Sequence, residues 1–462
     1  MTDVMILAAG LGTRMKSRRA KVLHEVAGLP LISHVVRAAF KLAPGAIYVV
    51  LGYQADEVER VVREDARRLA ERGREAGPGL RFALQAEQRG TGHAVMAARD
   101  KLADRSGSLI ILAGDGPMIK SETLRLLADT HAAQHNDATI LTVEMDDPTG
   151  YGRIIRDAEG GFLRCVEQKD ASPEELAVRE VGVSIYCFEI AALLAALDHL
   201  NTDNAQGEYY LTDVPSIILS EGKRVGLLRH ANAVEVLGIN TRVELADLER
   251  KLREEKLREL MLAGVTLVDP STTYVHQDVE IGQDTVIYPQ VIIEGASRIG
   301  SGCTIQSWTR LKNVEIENDV YIRNSSVIED SIVREGATVG PFARLRMMAE
   351  VGEKAAIGNF VEVKKSKIGR ETKAQHLSYL GDATLGDHVN VGAGTVTCNY
   401  DGARKHETII EDDVKIGSDT MLVAPVRVGR GSKTGAGAVV TKDVPADSLV
   451  AGVPAAFKKK LK

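Results

Sequence analysis

From about residue 270 onward the chain keeps a period of six. Val275, Ile281, Ile287, Ile293, Ile299 and Ile305 follow one another at six-residue steps. So do Val339, Leu345, Val351, Ile357 and Val363, and so do Ile410, Ile416, Leu422, Val428, Thr434 and Val440. Gly or Glu often follows the aliphatic residue, as in Ile281-Gly282, Ile299-Gly300 and Ile416-Gly417. Seventeen positions in three registers are too many for chance alternation in an ordinary β domain. Each hexapeptide supplies one short strand and a turn, with the aliphatic residue pointing into a narrow prism. Three hexapeptides close a coil, so residues 275–440 hold about nine coils of a parallel β-helix. A fold built from small and β-branched residues agrees with 43 glycines and only 4% aromatics. The rhythm fails between Thr397 and Ile410. The segment from Cys398 to His406 reads as a loop pushed out of the coil, and such insertions often mark a functional face.

The preceding half is patterned differently. Strand-like runs at Val4–Ala9, Ala46–Gly52, Arg81–Gln85, Leu109–Ala113, Thr139–Glu144 and Val183–Phe188 alternate with helical stretches such as Leu31–Lys41 and Asp56–Arg72. The second stretch is highly charged and reads as a solvated face. Alternating β and α predicts a Rossmann-like α/β domain with a mostly parallel sheet, whose ligands bind at the carboxyl ends of strands. Residues 241–262 read as one helix. Thr241 and Glu244 fit a capping box, and Val243, Leu248, Leu252, Leu257, Leu260 and Met261 form an apolar stripe. The expected division is residues 1–240, a connecting helix at 241–263, and residues 264–462; for 462 residues the length prior is about three units.

Several function classes fall away. Net charge is −6, which implies no bulk attraction to nucleic acid or anionic lipid. No apolar run reaches the ~18 residues of a membrane span, and Val4–Ala9 reads as a buried strand rather than a signal peptide. Cys165, Cys187, Cys303 and Cys398 show no paired spacing, which suits free thiols in a reducing cytoplasm. The basic end, with Lys458, Lys459, Lys460 and Lys462, reads as a solvated tail.

The first strand runs into Leu7-Ala8-Ala9-Gly10-Leu11-Gly12-Thr13-Arg14. Gly10 and Gly12 allow close backbone approach to phosphates; Arg14 offers a bidentate contact and Lys21 a point charge. The loop is neither a Walker motif nor a dinucleotide fingerprint, and alone it is equally a tight turn. Asp115, in Gly114-Asp115-Gly116 after a buried strand, is alone equally a turn or capping residue. Together the two loops favour a nucleotide and a metal held against its phosphate. In the β-helix, Arg346, Lys364, His376, Tyr379, Asn390, Asn399, Tyr400 and Lys405 fall on successive coils or the extruded loop. Two basic residues can clamp a phosphate and one His can act as a general base, although a lone His is more often structural.

Leu7–Met15, Lys21-Val22-Leu23-His24, Leu84–Gln88 with Gly90-Thr91-Gly92-His93, Gly114-Asp115, Asp147–Arg153 and Gly207–Asp213 resemble, in order, the bacterial bifunctional N-acetylglucosamine-1-phosphate uridylyltransferase/glucosamine-1-phosphate N-acetyltransferase family. His376–Ala383, Val391–Thr395 and Cys398–Gly402 look like its acetyltransferase site. The resemblance covers nearly the whole chain. It implies acetyl transfer from acetyl-CoA to glucosamine 1-phosphate, then uridylyl transfer from UTP with release of pyrophosphate. By that match, Leu7, Gly10, Gly12, Gln85, Gly90 and Thr91 would hold the nucleotide, and Arg14 and Lys21 would stabilise phosphate charge. Asp115 and Asn240 would bind Mg²⁺, and Gly152 and Glu167 would contact the sugar. His376 would be the base, oriented or polarised by Glu362. Arg346, Lys364 and Lys405 would bind the phosphate of the acceptor; Tyr379, Asn390 and Asn399 would hold its sugar. Ala393, Tyr400, Ser418 and Ala436 would serve acetyl-CoA, with the Ala393 N–H facing the oxyanion. The resemblance also implies a left-handed β-helix, a cytoplasmic homotrimer, and small-molecule substrates with neither nucleic-acid partner nor membrane insertion. A sugar nucleotidyltransferase with a noncatalytic β-helix scaffold is the alternative. The chain departs from the family at Gly182, where an Asn is usual; at Ala20, where Pro is usual; and at Ala113, where some members have Tyr. Met347-Met348 stand where Pro-Gly is usual, and Val453 stands where an Arg often meets coenzyme A.

Overall fold

The computed structural model describes residues 2–73 and 78–460, and the chain divides into two compact units, Met1–Leu248 and Glu249–Lys462. In the first unit, nine strands make the main sheet: β1 (Thr2–Ala8), β2 (Ala46–Leu51), β3 (Gly79–Leu84), β4 (Ser108–Ala113), β5 (Ala138–Glu144), β6 (Gly152–Arg156), β7 (Phe162–Val166), β8 (Glu180–Glu189) and β9 (Val225–His230). Their order is β9-β5-β8-β4-β1-β2-β3, with the β6–β7 hairpin attached to β8. Strands β1 to β4 pair in parallel, as does β9 with β5. Only β8 breaks the pattern in this order, running antiparallel to both β4 and β5.

Burial on both faces explains the near-continuous apolar runs. Val4, Ile6, Ile47 and Val49 join the core on one face; Met5, Tyr48 and Val50 join the core on the other. Helix Leu31–Lys41 buries Leu31, Ile32, Val35, Val36 and Ala39, one stripe of a 3.6-residue period. Helix Ala55–Gly73 carries exposed Arg60–Glu64 and Arg63–Glu59 pairs, as a solvated face should. Such pairs add a few tenths of a kcal/mol each.

The long helix spans Arg242–Leu262, and the boundary between the units falls inside it. Leu248, Leu252, Leu257 and Leu260 are buried, but Val243 and Met261 are exposed and leave the expected stripe. Both lie near the helix ends. The capping box closes differently as well. Thr241 Oγ1 accepts the Glu244 N–H (3.2 Å), while the Glu244 carboxylate takes the N–H of Asn240 (2.7 Å) rather than that of Thr241. The cap therefore fixes the residue before it.

In the second unit three ladders of short parallel strands form a β-helix. The first runs from Thr266–Leu267 to Ser448–Ala451, the second from Tyr274–Val275 to Val439–Val440, and the third from Glu280–Ile281 to Val426–Val428. Sixteen of the seventeen period-six residues are buried, and Ile281 packs partly against the same core. The breaks between registers now have a reason. Some corners take one residue fewer, so Leu311 is followed inward by Ile316 and Ile328 by Val333, both buried, and the coil shortens without losing its stack. After strand Val396–Cys398 the chain leaves the coil and re-enters at Thr408–Ile410, as the broken rhythm indicates.

The basic end differs from expectation. Ala456–Lys460 is an exposed strand antiparallel to Ser448–Ala451. The open edge of the last coil offers unpaired backbone groups, and the chain end satisfies them. Lys462 lies outside the described residues.

Candidate functional site

In the first unit the loops after β1 and β4 meet. Gly12 has φ +62°, and a Cβ there would come within 2.5 Å of Lys21 Cβ, so a side chain would displace the lysine. Lys21 Nζ forms an ion pair with Asp115 and donates to Asn240 Oδ1 (3.2 Å). Arg14 donates to the same Asn240 oxygen at 2.7 Å. Asn240 reaches this point through the Ile239 N–H, which donates to the Asp115 carbonyl (3.0 Å), and through the helix cap. Two cations and two hard oxygen donors thus converge at the carboxyl ends of β1 and β4. Gly114 donates to the Leu7 carbonyl (2.9 Å), which locks the two loops together.

The end of β3 forms the neighbouring wall. Gln85 is buried and donates to the Gly90 carbonyl at 3.0 Å, with His93 Nδ1 at 3.1 Å. Gly90 has φ +105°, and a Cβ there would meet the Tyr209 carbonyl at 2.5 Å. Thr91 Oγ1 accepts the Leu211 N–H (3.0 Å), so the 85–93 loop docks on the 208–212 segment.

Gly152 and Gly182 lie opposite each other on β6 and β8. A Cβ on Gly182 would make only ordinary contacts, 3.5 Å to Ile154 and 3.7 Å to Cys165 Sγ, so the backbone there has room for a Cβ. Glu167 accepts from Thr212 Oγ1 (3.1 Å). A cleft of about 460 Å³ is lined by Cys165, Glu167, Asp170, His199, Tyr210 and Asp213, among others. Burial pushes the Glu167 carboxyl up against its Thr212 hydrogen bond, and Asp170 and Glu208 add to the rise. Burial, then Glu167 and Asp170, raise Asp213 from 3.8 to about 6. A carboxyl raised by folding stabilises the fold below its unfolded pKa, and that contribution is lost as pH rises through the folded value. The full displacement is worth about 3 kcal/mol, cut to about 1–2 kcal/mol because the carboxyl still meets solvent. Asp213→Asn should therefore raise the melting temperature by a few degrees at pH 8, with the gain gone by about pH 4; thermal melts at both pH values check it.

In the second unit the second ladder brings Arg346, Glu362, Lys364 and Tyr379 together, by register. Arg346 pairs in the ladder with Lys364, and Lys364 with Gly381; Glu362 pairs with Tyr379. A Cβ on Gly381 would strike the Tyr379 ring and hydroxyl, so glycine lets that ring lie back along its strand. Arg346 Nε donates to Glu362 (2.6 Å). Lys364 is buried, and its Nζ lies 3.0 Å from Asp382 Oδ2. Asn399 is buried and sits 3.5 Å from the Tyr379 hydroxyl. Asn390 is exposed on the first ladder, and Tyr400 and Lys405 bridge across the extruded loop.

His376 occupies the corner between the first and second ladders. It lies two residues beyond inward-facing Ala374, as Ala393 does beyond Val391, Ser418 beyond Ile416 and Ala436 beyond Thr434. The four form one file along the corner. The structure does not place Glu362 on His376: Glu362 is taken by Arg346, and His376 Nδ1 lies 3.1 Å from Asn359 Oδ1, its ladder partner. Glu362 points from the middle of a strand, whereas Asn359 sits at the same corner one coil earlier. Sequence reading missed Asn359, although it precedes His376 by one 17-residue coil.

Among the described residues no cluster of three or more His, Cys, Asp or Glu could hold a metal, and no helix is long and apolar enough to cross a membrane. The family of MobA-like NTP transferase domains matches residues 4–209, the GMPPB C-terminal domain matches 270–346, and the six-repeat bacterial transferase hexapeptide matches 407–442. Fold and sites together define an α/β nucleotidyltransferase joined to a hexapeptide-repeat transferase. The chain is 47% identical to the bifunctional protein GlmU of Trichlorobacter lovleyi over 97% of its length and 95% of that protein. It is 45% identical to that of Koribacter versatilis (97% and 94%) and 46% to that of Geobacter sulfurreducens (96% and 94%). The chain belongs to the bifunctional GlmU family.

Proposed function

We propose that the chain acetylates glucosamine 1-phosphate with acetyl-CoA and then joins N-acetylglucosamine 1-phosphate to UTP, giving UDP-N-acetylglucosamine. The observation that carries this reading is the convergence of Arg14, Lys21, Asp115 and Asn240 on one point. In the uridylyl step an oxygen of the sugar phosphate attacks the α-phosphorus in line, the bond to the β-phosphate breaks, and pyrophosphate leaves. Little covalent work falls to the protein, so positioning and charge carry the rate. Arg14 and Lys21 hold the phosphates while Leu7, Gly10, Gly12, Gln85, Gly90 and Thr91 wall the nucleotide. Gly152 and Glu167 face the sugar. Asp115 and Asn240 supply hard oxygens that suit Mg²⁺, an ion usually bound through one or two carboxylates plus substrate phosphates and water. When bound, Mg²⁺ neutralises charge developing on the phosphates.

In the acetyl step the amine attacks the thioester carbonyl, His376 accepts the proton from nitrogen, and the C–S bond breaks as the proton passes to the departing sulfur. Asn359, at His376 Nδ1, leaves Nε2 to act. Arg346, Lys364 and Lys405 take the phosphate; Tyr379, Asn390 and Asn399 take the sugar. The Ala393 N–H serves the oxyanion, and Tyr400, Ser418 and Ala436 line the acetyl-CoA groove. We place the protein in the cytoplasm, as a homotrimer through the β-helix.

The test uses the purified full chain. Acetyl-CoA consumption with glucosamine 1-phosphate, and magnesium-dependent pyrophosphate release with UTP and the acetylated sugar phosphate, should both occur. Pyrophosphate release without acetyl-CoA turnover would leave the β-helix as a scaffold.

A further inference from the structure

One carboxylate in the second unit has no part in the chemistry above, yet it joins two of the groups that do. Asp382 is buried at the corner between the second and third ladders. Its Oδ2 accepts from Lys364 Nζ (3.0 Å) and from Asn399 Nδ2 (2.5 Å), and its Oδ1 lies 3.7 Å from Lys365 Nζ. Its N–H donates to the Lys364 carbonyl (3.0 Å), and its own carbonyl accepts the Thr408 N–H (3.1 Å). Asn399 opens the extruded loop and Thr408 closes it, so one residue ties both ends of the loop to the Lys364 coil.

The charges make that tie necessary. A buried ammonium without a counter-charge is strongly unfavourable. Lys364 also sits beside Lys405 of the loop, and the hydrogen bond and charge of Lys364 push the Lys405 pKa down. Two ammonium groups side by side repel unless anions hold them. Asp382 supplies one fixed anion beneath Lys364. The open side of the lysine pair suits a dianionic phosphate, which would relieve the remaining repulsion.

We propose that Asp382 is a positioning residue for the acetyl acceptor: it aims Lys364 and anchors the Asn399–Lys405 segment so that both lysines meet one sugar phosphate. The proposal rests on the acetyl-transfer reading. It concerns the phosphorylated substrate alone, because none of the Asp382 contacts involves the corner file of His376, Ala393, Ser418 and Ala436.

The experiment compares full-length wild type, Asp382→Asn and Asp382→Glu. The Asn variant keeps the shape and loses the charge; the Glu variant keeps the charge. KM for glucosamine 1-phosphate should rise at least about tenfold in Asp382→Asn, with KM for acetyl-CoA within about twofold, and Asp382→Glu should recover part of the loss. Calorimetric binding of glucosamine 1-phosphate should weaken in parallel. Equal rises in both KM values accompanied by a lower melting temperature would show a merely structural role and overturn the proposal, as would unchanged kinetics. Calorimetry needs no turnover. A wild type that binds the sugar phosphate but does not acetylate it would therefore sink the acetyl-transfer reading while still testing Asp382. Should Asp382→Asn fail to fold, Asp382→Glu, which moves the same charge by one methylene, should still raise KM for glucosamine 1-phosphate without raising KM for acetyl-CoA, and unchanged kinetics in it would overturn the proposal.

Discussion

Asp115→Ala is expected to lower uridylyl transfer by about a thousandfold or more and to leave acetyl transfer within about twofold of wild type. The size follows from what converges on that carboxylate. Asp115 lies in the loop just after β4, pairs with Lys21, and shares that lysine with Asn240, to which Arg14 also donates. Its removal takes away a hard oxygen donor and frees the lysine from its fixed aim. Loss of electrostatic stabilisation of this kind costs roughly 3–4 kcal/mol, or two to three powers of ten, before any loss of the metal is added. The residues proposed for acetyl transfer all lie in the other unit, Glu249–Lys462, so the second activity is the internal control. Pyrophosphate release at saturating magnesium, beside acetyl-CoA consumption in the same preparation, reads both. Retention of uridylyl transfer within tenfold would remove Asp115 from the metal site.

His376→Ala has the mirror effect. Acetyl transfer should fall by about 10²–10⁴, the range for losing a positioned general base, while uridylyl transfer should hold. The amine of the acceptor must lose its proton as it attacks, and His376, the proposed base, lies on the corner file with Ala393, Ser418 and Ala436. Its Nδ1 is engaged by Asn359 at 3.1 Å, so the ring is oriented before substrate arrives. Single-turnover acetylation at saturating substrate separates this chemical loss from weakened binding. An unchanged rate would make His376 a structural corner residue and return the β-helix to a scaffold.

Much of this was legible in residue spacing. The hexapeptide rhythm marked the β-helix because every inward position repeats the same local demand, a small aliphatic residue in a narrow prism. The interruption after Thr397 marked the extruded loop for the same reason. The register breaks were visible but not their cause, since a five-residue corner changes the count without changing the burial. Element boundaries in the first unit moved by one to three residues, as with Glu180–Glu189 against the expected Val183–Phe188.

The sites divide along the same line. Gly12 and Asp115 stood out because two loops, each following a buried strand, carry them together, whereas Gly90 came from the family resemblance. Asn240 carried no such signal. It lies 226 residues from Arg14, and only the closing of the sheet and the cap on the Arg242–Leu262 helix bring them to 2.7 Å. Asn359 and Asp382 are likewise ordinary polar residues at β-helix corners until the coils stack. Sequence by itself determined the two architectures and the loops where chemistry belongs, because those follow from repeated burial over short spans. Tertiary structure alone decided which side chains meet — Asn359 rather than Glu362 at His376, Asp382 beneath Lys364 — because a hydrogen bond depends on ångström placement across coils, and no one-dimensional period encodes that.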